Sequence, residues 1–183
     1  SRSGITLGAV VVFQDVSLTR KLSEQLSYQA SHDNLTELVN RRAFESLLGK
    51  LLAQPGGDHT LCYLDLDQFK IVNDTCGHQA GDELLRQVAR KLKAHVRSSD
   101  TVARLGGDEF AILQPVHHHA LDEASVRAGR LVAALREPFD LQGERVQIGV
   151  SIGIALAPRD GESSHTLLRS ADVALYAAKA MGR

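Results

Sequence analysis

Cysteine is nearly missing from this sequence, and so is any excess of charge. Two cysteines, Cys62 and Cys76, among 183 residues are too few for a disulfide framework and point to a reduced, cytosolic setting. Lys and Arg number 21 against 22 Asp and Glu, so the chain has no overall field to grip nucleic acid or an anionic membrane, which leaves only a local phosphate pocket. No apolar run approaches the ~20 residues that a membrane-spanning helix requires, and no signal-peptide pattern follows Ser1. The expectation is a cytoplasmic domain with no nucleic-acid partner and no direct membrane contact. Such a domain is also compatible with a longer protein tethered to the inner membrane. The abrupt ends at Ser1 and Arg183 read as the bounds of a piece of something longer. What is present is a 43% apolar fraction, enough for one good-sized core with a short appendage.

The most informative stretch is RLGGDEF, Arg104 to Phe110. Two β-like apolar runs flank adjacent glycines, and a Gly-Gly junction accepts the positive φ of a tight hairpin turn. Asp108 and Glu109 follow at once. Such a turn lets a phosphate approach the backbone beside two hard oxygen ligands, although a solvated turn with ordinary surface acids has the same residues.

Several other segments have readable periodicity. A β-branched run over residues 5–13 predicts a strand, and Leu18, Leu22 and Leu26 mark one stripe of a helix with Ser17 as its candidate cap. That helix either pairs with its copy in a dimer or packs on the domain that follows. A second helix is expected to start around Ser31–Asn34. Thr60 to Leu64 reads as a strand buried on both faces, ending in Asp65-Leu66-Asp67. Helical spacing predicts an amphipathic helix over 82–97. The hairpin covers about 101–105 and 109–114, a helix about 120–136, and Val146 to Ala157 a long strand. A last helix follows Ser163-Ser164. From residue 60 to 157 the order is β-α-β-β-α-β, the ferredoxin-like arrangement. In that α+β fold an antiparallel central sheet is flanked by helices, and its first and third strands are neighbours. The hairpin turn therefore lies beside the end of the first strand. Asp65 and Asp67 are thus brought against Gly106, Gly107, Asp108 and Glu109, as in palm-type, nucleotide cyclase-like domains. Asp67 equally suits a structural role in which its side chain diverges from that of Asp65.

The residues also resemble a known family. His32-Asp33-x-Leu35-Thr36-x-Leu38-x-Asn40-Arg41, the segment from Asp65 to Asp82, the intact Arg104-x-Gly106-Gly107-Asp108-Glu109-Phe110, Ser151-Ile152-Gly153, and the segment from Ala171 to Arg183 are similar to the motifs of GGDEF-type diguanylate cyclases. The resemblance runs from residue 29 to 183. Residues 1–28 resemble the end of a PAS-like sensor domain with a signalling helix. The final strand that the family usually adds is expected to be missing.

The resemblance implies that two GTP molecules on two facing domains condense to cyclic di-GMP. Asp65, Asp108 and the Leu66 carbonyl would hold Mg²⁺ (or Mn²⁺), which takes hard oxygen ligands and substrate phosphates. Glu109 would assist as ligand or base. Asn73 and Asp82 would read guanine, although Asp82 also suits a helix cap. Lys70, Lys179 and Arg183 would meet the triphosphate, the last two on one helix face if the helix extends so far, where they equally suit a helix C-terminus. Phe69, His78 and the Gly107 N–H would complete the substrate site. Arg97 and Asp100 form an RxxD at the position of an inhibitory product site; a surface ion pair is the plainer reading of that pattern. The implied alternative is a GTP- or cyclic di-GMP-binding domain that regulates a downstream EAL-type phosphodiesterase. His117–His119 read as a solvated loop, because adjacent residues splay apart and no cysteine supports a metal.

Overall fold

The structure is a computed structural model that describes residues 17–54, 58–116 and 120–182. It opens on α1 (Ser17–Ser31), which buries none of its side chains. Leu18, Leu22 and Leu26 are 71%, 50% and 66% exposed, so the expected apolar stripe lies bare. Arg20 pairs with Glu24 at 3.0 Å. The strand expected over 5–13 and His117–His119 lie outside the described residues.

The expected helix start at Ser31–Asn34 is not there. α1 ends at Ser31, and the chain turns through residues 32–38 into β1 (Val39–Asn40) and α2 (Arg41–Leu52). The reason is local: the Asp33 carboxylate accepts from the Thr36 backbone at 2.9 Å and from its hydroxyl at 2.6 Å. Such a side-chain turn competes with helix. Asn40 then caps α2 by accepting from the Ala43 N–H at 3.0 Å.

β2 (Asp58–Asp67), α3 (Phe69–Cys76) and α4 (His78–Ala94) follow. The long amphipathic helix therefore starts earlier than Asp82, at His78, because Gly77 at φ +85° breaks the chain there. Asp82 is an exposed side chain in the body of α4 and not its cap. The hairpin is β3 (Thr101–Gly106) and β4 (Glu109–Val116), followed by α5 (Ala120–Leu135). Val146 to Ala157 is not one strand. Phe139–Leu141 (β5) and Glu144–Val146 (β6) form a separate two-stranded ribbon, whose turn at Gly143 is held by a 2.8 Å bond from its N–H to Asp140. β7 begins only at Gly149, runs to Ala157, and leads into α6 (Ser164–Met181).

The main sheet has five strands in the order β1-β3-β4-β2-β7. Every pairing is antiparallel except the short parallel β1–β3 contact. β2 lies between β4 and β7 and is apolar on both faces. Cys62, Leu64 and Leu66 join Leu84, Val88, Leu92, Leu131 and Leu135 on one side. Leu61 and Tyr63 join Phe44, Leu48, Leu167, Ala171 and Leu175 on the other. Helices α4 and α5 thus cover one face, and α2 and α6 the other. α6 sits so close that a Cβ on Gly153 would run into the Ala171 carbonyl and the Leu175 backbone. The expected helix-flanked, cyclase-like sheet is the observed one.

Candidate active site

The strand ladder brings the two acid segments together. Asp65 is the direct cross-strand partner of Glu109, and the Leu66 N–H donates to the Asp108 carbonyl at 3.2 Å. Burial first, with the charge of nearby Asp65 adding to it, holds the Asp108 carboxyl above the usual carboxylate range. Two carboxylates crowded in this way call for a cation between them. Lys179, near the end of α6, reaches Asp65 with a 2.7 Å ion pair. Among the described residues no three His, Cys, Asp or Glu side chains converge to hold an ion unaided. Asp65, Asp108 and the Leu66 carbonyl still suit Mg²⁺, which takes one or two carboxylates and completes its shell with phosphates and water.

Asp67 shares the face of Asp65, since side chains two apart on a strand point the same way; the expected divergence is corrected on that ground. It is structural nonetheless. Its carboxylate is buried and accepts from the Ser151 hydroxyl at 2.8 Å, while Gly149 leaves the space that it fills.

The turn between β3 and β4 depends on its glycines. Gly106 and Gly107 sit at φ +151° and +49°, and a bulge between Arg104 and Gly106 shifts the register. Arg104 folds back over this turn, donating Nε and Nη2 to the Gly107 carbonyl at 3.0 and 2.8 Å. Its Nη1 pairs with Asp33 at 3.0 Å. Arg41, the first residue of α2, donates to the Leu105 carbonyl at 2.8 Å and to Glu109 at 3.2 Å. Neither arginine was assigned a role from sequence, nor was Asp33. Their opposite charges in separate motifs were the available signal.

The other expected substrate residues surround the helical corner after β2. Gln68 enters α3 at φ +62° without capping it through its side chain, so the leading N–H groups of the helix, from Phe69 on, have no side-chain partner there. Asn73 and half-buried Phe69 lean over Gly81, where a Cβ would overlap the Asn73 amide oxygen. Lys70, His78 and Asp82 are exposed on α3 and α4, and Asp82 lines a cleft of about 400 Å³ with Arg86 and Gln142. α6 ends at Met181 with Gly182 at φ +127°, so the helix that would put Lys179 and Arg183 on one face stops short. Arg183 lies outside the described residues. Arg97 and Asp100 stand away from this corner beside a cleft of about 440 Å³ next to β1 and β3. There Asp100 accepts from the Arg97 N–H at 3.0 Å and from Gln114 at 2.8 Å.

A mixed sheet with a glycine hairpin set against two strand-end carboxylates is the architecture of palm-type, nucleotide cyclase-like domains. Sequence comparison narrows this further, since residues 30–183 match the family described as "Diguanylate cyclase, GGDEF domain". The chain belongs to that GGDEF family. It is 43% identical over 98% of its length to "Probable diguanylate cyclase DgcE" of Escherichia coli, and 42% identical over 89% to the bifunctional diguanylate cyclase/cyclic di-GMP phosphodiesterase MucR of Pseudomonas aeruginosa. It spans only 16% and 24% of those two proteins. The coiled coil and GGDEF domain of DgcB from Caulobacter crescentus, solved with c-di-GMP, superposes with a TM-score of 0.84. That match has 33% identity and covers 92% of this chain and 91% of that one.

Proposed function

We propose that this domain condenses two GTP molecules into cyclic di-GMP and two pyrophosphates, with one GTP held on each of two facing copies. The observation that carries the reading is the strand ladder that sets Asp65 opposite Glu109 and Leu66 against Asp108, beside the start of α3, which its N-cap side chain leaves uncapped. A receptor that only bound nucleotide would not need two crowded carboxylates. In each half-reaction the 3′-oxygen of one GTP forms a bond to the α-phosphorus of the other. The bond from that phosphorus to the bridging oxygen breaks, pyrophosphate departs with the electron pair, and the hydroxyl proton leaves.

Asp65, Asp108 and the Leu66 carbonyl would hold Mg²⁺, or Mn²⁺ in its place. Such an ion supplies charge neutralisation at the attacked phosphate and a lowered pKa for the 3′-hydroxyl. The chain's own groups bind and orient. Lys179 exchanges its carboxylate for triphosphate oxygens, with Lys70 and the N–H groups of α3 and Gly107 on other oxygens, joined by Arg183 from the chain end. Asn73 and Asp82 take the guanine edge, with Phe69 and His78 beside them. Glu109 stands next to Asp108 as further ligand or as base.

The exposed Leu18, Leu22 and Leu26 stripe on α1 supports pairing of two copies, which sets the facing geometry under control of an upstream PAS-like sensor. Arg97, with its guanidinium exposed, and Asp100 form an inhibitory site for the product, whose phosphate and guanine suit an arginine fork and a carboxylate. A second reading is a nucleotide-binding domain that regulates an EAL-type phosphodiesterase; the bifunctional name of the MucR relative favours it. The test is chromatography of the products that the chain forms from GTP and Mg²⁺ across protein concentration. Cyclic di-GMP is expected, with a rate rising more steeply than protein concentration, and none from Asp108→Ala. Turnover by Asp108→Ala refutes the metal site. Tight nucleotide binding by the unaltered chain without product favours the regulatory reading.

A further inference from the structure

Arg41 is the first residue of α2 and has no part in the reaction as laid out above. We propose that it is a positioning residue for that reaction, clamping Glu109 to the bulged end of β3 so that its carboxylate stands fixed beside Asp108. The proposal rests on the cyclase reading.

The bulge supplies the reason for the clamp. In the β3–β4 ladder Arg104 pairs with Phe110 and Gly106 with Glu109, which leaves Leu105 without a cross-strand partner. A buried carbonyl in that position needs a donor from elsewhere, and Arg41 Nε provides one at 2.8 Å. The same guanidinium reaches Glu109 Oε2 through Nη2 at 3.2 Å, while Nη1 lies 3.7 Å from Glu45 one turn along α2. A planar fork can meet a carbonyl and a carboxylate at once, and a lysine ammonium at the end of a flexible stem cannot hold both directions. Buried Tyr63 lines the same cleft as Arg41 and Glu45.

The clamp acts on orientation. Without it Glu109 regains its rotamers, and the loss falls on the reaction step, because a carboxylate misplaced by about 1 Å costs on the order of 100-fold. GTP binding rests on other residues. A cleft of about 340 Å³ lined by Arg41, Glu45, Tyr63 and Leu168 opens beside the guanidinium. It is roomy enough to admit a small cation in the place of a truncated side chain.

The experiment measures kcat and KM for GTP with Mg²⁺ in the unaltered chain, Arg41→Ala, Arg41→Lys, Glu109→Gln and the Arg41→Ala/Glu109→Gln double variant. Arg41→Ala is expected to lose kcat by about 10- to 100-fold with KM within about twofold. Arg41→Lys should recover little, and millimolar methylguanidinium should restore part of the Arg41→Ala rate. The double variant should be no slower than Glu109→Gln. A rise in KM at unchanged kcat, full activity in Arg41→Lys, or multiplying losses in the double variant overturns the proposal. A separate double-mutant cycle of Arg41→Lys and Glu109→Gln in thermal unfolding reads the contact without turnover; additive effects there also overturn it. If the unaltered chain makes no cyclic di-GMP, the cyclase reading fails and the positioning role falls with it. The unfolding cycle then still reports whether the clamp exists.

Discussion

Arg104→Ala is the most informative single change to stability, because it removes the tie between the glycine turn and the loop that follows α1. The Arg104 and Asp33 side chains are only 13% and 25% exposed. The arginine makes two bonds to Asp33 and two to the Gly107 carbonyl. A bond to a charged group contributes about 1.5–3 kcal/mol net. Stripping one partner from a fully buried pair costs about 3–5 kcal/mol. Partial exposure places the expected loss below that range, at about 2–3 kcal/mol, and a domain of this size shifts by roughly 2–4 °C per kcal/mol. Circular dichroism melts at neutral pH should therefore show a fall of about 5–10 °C.

The pH dependence checks the cause. Burial pushes the Asp33 carboxyl up, but bonds from the Thr36 hydroxyl, Arg104 and the Thr36 N–H outweigh it and leave the group below its ordinary range. A lowered folded value means that the ionised form is favoured by folding. That stabilisation is fully present above the unfolded value of about 3.9 and is lost as the pH falls through the lower folded value. Arg104→Ala should flatten this acid-side slope. A loss under about 0.5 kcal/mol, the size of an ordinary surface substitution, refutes the account, as does an unchanged slope below about pH 4.

Three further outcomes are expected. Gly153→Ala should destabilise the domain by about 1–3 kcal/mol in urea unfolding, since the new methyl meets the α6 backbone and only separation of helix from sheet relieves it. Leu22→Glu on α1 should leave the melting temperature within about 1 °C while lowering the specific cyclase rate at micromolar protein; equal rates would remove α1 from the pairing of copies. Arg97→Ala should relieve inhibition by added cyclic di-GMP without changing the initial rate, and unchanged inhibition with unchanged product affinity on calorimetry would remove the RxxD assignment.

The parts of this protein that were legible in one dimension are those with local causes. Apolar spacing showed β2 and the body of α4, and the glycine pair showed the hairpin. The spaced motifs tied Asp65 to Asp108 before any coordinates, because a β-α-β-β-α-β order leaves the first and third strands few alternatives. The misreadings were also local in cause. A side-chain turn at Asp33 displaced the start of α2, and Gly77 moved the start of α4. Only the packed molecule decided the polar contacts of long reach, such as Arg104 with Asp33, Arg41 with the Leu105 bulge, and Lys179 with Asp65. An ion pair forms between whichever side chains the packing of helix on sheet brings within about 4 Å, and periodicity says nothing of that distance. RLGGDEF could be recognised from the sequence as the centre of the site. The two arginines that hold its turn in place became visible only in the tertiary structure.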